Sequence, residues 1–108
     1  MQNYKIFGES CSPHFIPKEL LTPFSVIGNQ NHWQEAIDYT FATLREHQRI
    51  QSLLLIFFSH LDSLLIPNQQ KLTEILKNGC KIYFFVSKDS FSFEECNYLS
   101  QFGLVIAF

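Results

Sequence analysis

The chain has 108 residues, of which 46% are hydrophobic, 16% aromatic and only 17% charged, with twelve Phe against four Gly and four Pro. This balance excludes intrinsic disorder and coiled-coil repeats, which need more charge or less apolar side chain. A chain of this length buries roughly two-thirds of its unfolded surface, enough for a core without disulfides or metals.

Eight Lys and Arg against ten Asp and Glu leave a net charge of -2. The cations Lys5, Lys18, Arg45, Arg49, Lys71, Lys77, Lys81 and Lys88 are scattered, so the electrostatic footprint of a nucleic-acid or anionic-membrane binder is absent. Met1 to Lys5 hold no long apolar segment, and the most apolar run, Leu53 to Phe58, is far too short to span a bilayer. Cys11, Cys80 and Cys96 are odd in number and match no disulfide or zinc spacing, which leads us to expect reduced thiols and a cytoplasmic location.

In chain order, Lys5-Ile6-Phe7 suits a short edge strand, and Pro13, Pro17 and Pro23 break the next segment into an extended arm. Phe24 to Gly28 reads as a first buried strand ending in the turn Gly28-Asn29-Gln30. Asn31 and Gln34 resemble a capping box. Trp33, Ala36, Ile37, Thr40, Phe41 and Leu44 then form the apolar stripe of an amphipathic helix of about five turns, with Gln34, Glu35, Asp38, Arg45, Glu46 and Arg49 opposite.

Ser52 to Phe58 lacks alternation, the mark of a central strand covered on both faces. After Ser59-His60-Leu61-Asp62, Pro67 suits a helix start, Leu72, Ile75 and Leu76 its apolar side, and Asn78-Gly79 its stop. Lys81 to Val86 is the third strand of this series. Ser92 and Glu95 form a capping box for a helix whose Phe93, Cys96, Leu99 and Phe102 recur every third residue and which Gly103 ends. Leu104 to Phe108 is the last strand.

Alternating strands and helices with short connections predict right-handed crossovers. The expected fold is a three-layer α/β domain of Rossmann-like or flavodoxin-like pattern, with a mainly parallel sheet of four to five strands and helices on both faces. One domain spans residues 1–108, an N-terminal strand and arm over 1–23 preceding a βαβαβαβ core over 24–108.

In such sheets ligands bind beyond the carboxyl ends of the strands, where the strand order reverses. The residues placed there are Gly28, Asn29, Asn31, His32, Ser59, His60, Ser87, Lys88 and Asp89. They lack the three glycines of a dinucleotide loop and the Gly-Lys-Ser of a phosphate loop, so capped, solvated turns account for them more simply. Ser59, His60 and Asp62 come without a Gly-x-Ser-x-Gly elbow. Cys11 and His14 lack the second pair that a closed zinc site needs and the second cysteine of a thioredoxin-type motif, while Cys80 and Cys96 read as small buried hydrophobes.

Two apolar features carry more information. The last strand bears no charge from Leu104 onward and, for the common order 2-1-3-4, lies at a sheet edge, where an uncharged run needs a cover. Phe15, Phe24, Phe91 and Tyr98 exceed what a small core requires, and aromatic residues are enriched in interfaces. The leading expectation is a non-enzymatic cytoplasmic interaction module or assembly subunit, without cofactor or metal, that meets a protein partner or a second copy through Phe15, Phe91, Val105, Ile106 and Phe108. The alternative is a small-ligand or nucleotide-binding domain that uses the loop residues named above.

Overall fold

The computed structural model describes residues 5–8, 16–22, 24–59 and 66–108. Five strands, β1 (Lys5–Phe7), β2 (Ser25–Gly28), β3 (Ser52–Phe57), β4 (Lys81–Val86) and β5 (Leu104–Ala107), form one wholly parallel sheet in the order β1-β2-β3-β4-β5. The order is sequential, so 2-1-3-4 does not apply. β5 nevertheless lies at an edge, and Lys5-Ile6-Phe7 joins the sheet as the opposite edge.

Sequential order has a consequence for the layers. Every right-handed crossover steps the same way, so α1 (Trp33–Arg45), α2 (Gln69–Lys77) and α3 (Phe93–Leu99) gather on one face. Their Ala36, Ile37, Leu44, Leu72, Ile75 and Leu99 pack with Leu53, Leu55, Phe57, Phe84 and Val86 in one buried cluster. The other face of β3, Leu54 and Ile56, packs with Ile27, Phe85 and Ile16 under Leu20 and Leu21. The three layers are therefore α-helices, sheet, and a third layer formed by the arm, whose helical element is the 3-10 turn Lys18–Leu20.

A hydroxyl cluster anchors this third layer to the sheet. Ser25 Oγ donates to the Leu20 carbonyl at 2.8 Å and accepts from the Thr22 N–H at 3.0 Å. Ser25 is buried, so its hydroxyl depends on these protein partners. β3 is buried at all six positions because both of its faces are covered, as its unbroken apolar run predicts.

The element ends follow local chemistry. Ser92 Oγ accepts from the Glu95 N–H at 3.2 Å while Glu95 Oε1 accepts from the Ser92 N–H at 3.0 Å, completing the capping box of α3. Gly79, at φ +86°, ends α2 in the left-handed region. α1 is shorter than its stripe suggests. It ends at Arg45 because His47 turns to φ +63° and the Gln48 N–H returns to the Thr43 carbonyl at 3.2 Å.

Asn31 does not cap α1. Residues Gln30–His32 form a 3-10 turn, and α1 starts one residue later from His32, whose side chain caps nothing. Gln34 turns instead to α2, exchanging two amide hydrogen bonds with the buried Asn68 at 2.8 and 2.9 Å. No described helix is long and apolar enough to cross a membrane.

Candidate functional site

The carboxyl ends of β2, β3 and β4 bring several of the loop residues close together. Gly28 is fully enclosed, and a Cβ placed there meets the Ala36 Cβ at 2.6 Å. Its bare backbone thus lets α1 approach β2. Asn29 ties this turn to the edge strand, its N–H donating to the Phe7 carbonyl at 3.1 Å.

Gln30 is the hinge-pin of this end of the sheet. Its Oε1 accepts from the N–H groups of Phe58 and Ser59 at 2.8 and 2.9 Å, and its Nε2 donates to the Ser59 hydroxyl. A single amide side chain thereby closes the turn after β3 onto the turn after β2. His32 Nδ1 lies 3.0 Å from Glu35 Oε1 on the same helical turn, and Asn31 is exposed.

After β4, the Ser87 N–H donates to the Phe57 carbonyl at 3.0 Å and the Lys88 N–H to the Phe108 carbonyl at 3.2 Å, while Asp89 sits exposed in the turn. His60, with Asp62, Cys11, His14 and Phe15, falls outside the described residues. Contacts of this kind belong to loops that brace one another. The strand order among the described strands does not reverse, so the crevice that a reversal opens is not formed between them.

A groove of about 670 Å³ opens at the opposite, amino end of the sheet, between the turns that close α1 and α2. His47, Arg49, Gln51, Asn78 and Lys81 line it, every one of them exposed. Arg49 is already engaged there, its guanidinium 4.8 Å from the centre of the Phe24 ring. Among the described residues no group of three or more His, Cys, Asp or Glu is arranged to hold a metal ion.

The edges of the sheet differ in kind. β1 is three residues long, carries the exposed Lys5 and is followed by Gly8 at φ +105°, features that discourage further pairing. β5 is Leu-Val-Ile-Ala, with no charged side chain, and Leu104 is 58% exposed. Phe108 donates its N–H to Val86 and accepts from Lys88, so both of its backbone groups face β4. Backbone direction alternates along a strand, so Leu104 and Ile106 also face β4 while the N–H and C=O of Val105 and Ala107 point outward. No strand lies beyond them among the described residues.

Comparison with protein-family models, with curated proteins and with solved structures gave no match. The chemistry of the site therefore rests on its own geometry.

Of the aromatic and edge residues expected at an interface, Val105, Ile106 and Phe108 are half-buried along β5, and Phe108 packs edge-on against Phe58 with ring centres 5.5 Å apart. Phe91 leans on the core, 6.2 Å from the Phe57 ring. Phe24 lies under Arg49, and Tyr98 packs against Phe102 and hydrogen-bonds to Gln69 on α2.

One residue is placed otherwise than its spacing suggests. Phe93, grouped with the inward stripe of α3, is 84% exposed. It is the first residue of the helix and stands about 120° around the axis from the buried Leu99, on the flank turned away from α2. α3 itself packs against β5. Cys96 lies between the two directions and is half-buried. The sequence does carry a signal for this placement, because the capping box fixes Phe93 as the first helical residue and hence fixes its direction. No comparable signal marks Gln30, Gln34 or Asn68, whose amides find their partners across 28 to 34 residues.

Proposed function

We propose that this chain is a non-enzymatic interaction module or assembly subunit that offers β5 as its contact. The observation that supports the reading is the edge of β5, an uncharged apolar strand with two outward N–H and two outward C=O groups, beside exposed Leu104 and Phe93. An edge of this kind is a template for a further strand, with backbone bonds giving affinity and flanking side chains giving selectivity. The guarded opposite edge at Lys5 makes the contact one-sided. Among the described loop residues at the carboxyl ends, Asn29, Gln30, Ser59, Ser87 and Lys88 bond to neighbouring strands and loops, which favours a bracing role over ligand capture.

A photoreactive phenylalanine analogue at Leu104, in protein produced in its native cell, tests the reading. Val105→Pro removes an outward N–H while sparing every bond to β4, so the fold survives and the edge is blocked. The expected result is a discrete adduct from position 104 that Val105→Pro abolishes. Adducts of equal yield from position 104 and from the exposed Glu35 on α1, insensitive to Val105→Pro, would overturn it.

A further inference from the structure

We infer that the occupant of the β5 edge is β5 of a second copy, paired antiparallel about a two-fold axis at Ile106. This rests on the reading of β5 as the contact and goes further by naming what sits there. Three independent features of the edge are satisfied by the same arrangement.

The first is the backbone. A two-fold through Ile106 sets Val105 of one copy opposite Ala107 of the other and Ala107 opposite Val105. These are the two residues of β5 whose N–H and C=O point outward, and each such pair exchanges two hydrogen bonds. The whole outward ladder of the strand is then satisfied without a shift of β5 itself.

The second is the side chains. The same register places Leu104 opposite Phe108 of the second copy and Ile106 opposite its counterpart, all on the face that carries the arm. Leu104, 58% exposed in one copy, acquires an aromatic cross-strand neighbour. On the helical face, which carries α3, the small Ala107 lies opposite Val105. Antiparallel strands bring the two α3 helices together head to tail, so Phe93, 84% exposed, reaches the Ser100 end of the other helix.

The third is charge. Lys81 stands at the amino end of the β4–β5 side of the sheet, beside Lys77 paired with Glu74 at 4.0 Å, whereas Asp89, Glu94 and Glu95 outnumber Lys88 at its carboxyl end. An antiparallel copy sets the basic end beside the acidic end. A parallel addition of the same strand would set like beside like, at a cost. β5 itself has no charge to repel an identical strand.

The test uses purified protein and two measurements. Light scattering during size-exclusion chromatography is expected to give a mass rising with concentration from 12.7 kDa toward twice that value, and Val105→Pro is expected to hold it at the monomer. With the natural cysteines replaced by alanine, Ile106→Cys is expected to form a disulfide-linked dimer on mild oxidation. Tyr39→Cys, on the exposed side of α1, should not. A monomer at every concentration would overturn the inference. A dimer that Ile106→Cys fails to link would overturn it as well, since the two-fold axis would then lie elsewhere. If the protein is monomeric while the adduct at position 104 persists and remains sensitive to Val105→Pro, a different partner occupies the edge and the broader reading stands. If the edge-dependent adduct is also absent, both fail.

Discussion

Cys80 shows what burial does to a single reactive group in this fold. It sits at the entrance to β4 at 2% exposure, and desolvation pushes its thiol up from the ordinary 9.0 to about 12. At neutral pH it is therefore a protonated, unreactive thiol, a packing residue as its sequence position suggests. The unfolded chain ionises near 9 and the folded one near 12, so the unfolded state loses its proton first. Stability is undiminished below pH 9 and falls as pH rises toward 12. Denaturant midpoints across that range should drop more steeply for the natural protein than for Cys80→Ala; parallel slopes would contradict the assignment. Thr40 presents the opposite case, a fully buried hydroxyl with no hydrogen-bond partner among the described residues. Thr40→Val removes the stranded oxygen at nearly constant volume. It should stabilise the fold by about 1 kcal/mol in urea unfolding, and a loss of stability would show that the oxygen is satisfied after all.

The elements are legible in the sequence to different degrees, for physical reasons that can be named. β3 is plain because a strand covered on both faces must be apolar almost throughout, and β4 follows the same pattern from Ile82 onward although its Lys81 is exposed and its Tyr83 half-buried. α3 is plain at its start, where Ser92 and Glu95 specify the cap from residues three apart. Ser92→Ala should cost about 1 kcal/mol, seen as a lower denaturation midpoint with faster amide exchange in the first turn of α3. An unchanged midpoint would mean that packing alone holds the helix. The start of α1 departs from its local pattern because Asn31 and Gln34 have the spacing of a cap whereas a distant residue, Asn68, competes successfully for Gln34. Gly28 likewise has the sequence setting of a turn glycine, and its reason lies in the approach of α1 across β2. Local chemistry can be read locally; a partner 34 residues away cannot.

For the protein as a whole, strand order decides what the sheet can do. The alternation of strands and helices predicts a parallel sheet, yet it is silent on order, since a right-handed crossover can step in either direction. Sequential order places all three α-helices on one face, while Ile16, Leu20 and Leu21 cover the other and the two edges differ in composition. The candidate site changes with it. Gln30 closes the turn after β3 onto the turn after β2, and the uncharged final strand, legible as an oddity from its composition, becomes an edge of the sheet. Phe93 extends the same surface onto α3.

Whether a second copy covers this edge can be read from amide hydrogen exchange at four consecutive residues. Leu104 and Ile106 point their N–H groups at β4 and should be protected at every concentration. Val105 and Ala107 point theirs outward and should exchange fast in dilute protein and slowly in concentrated protein. Fast exchange at Val105 and Ala107 that is indifferent to concentration would refute the pairing.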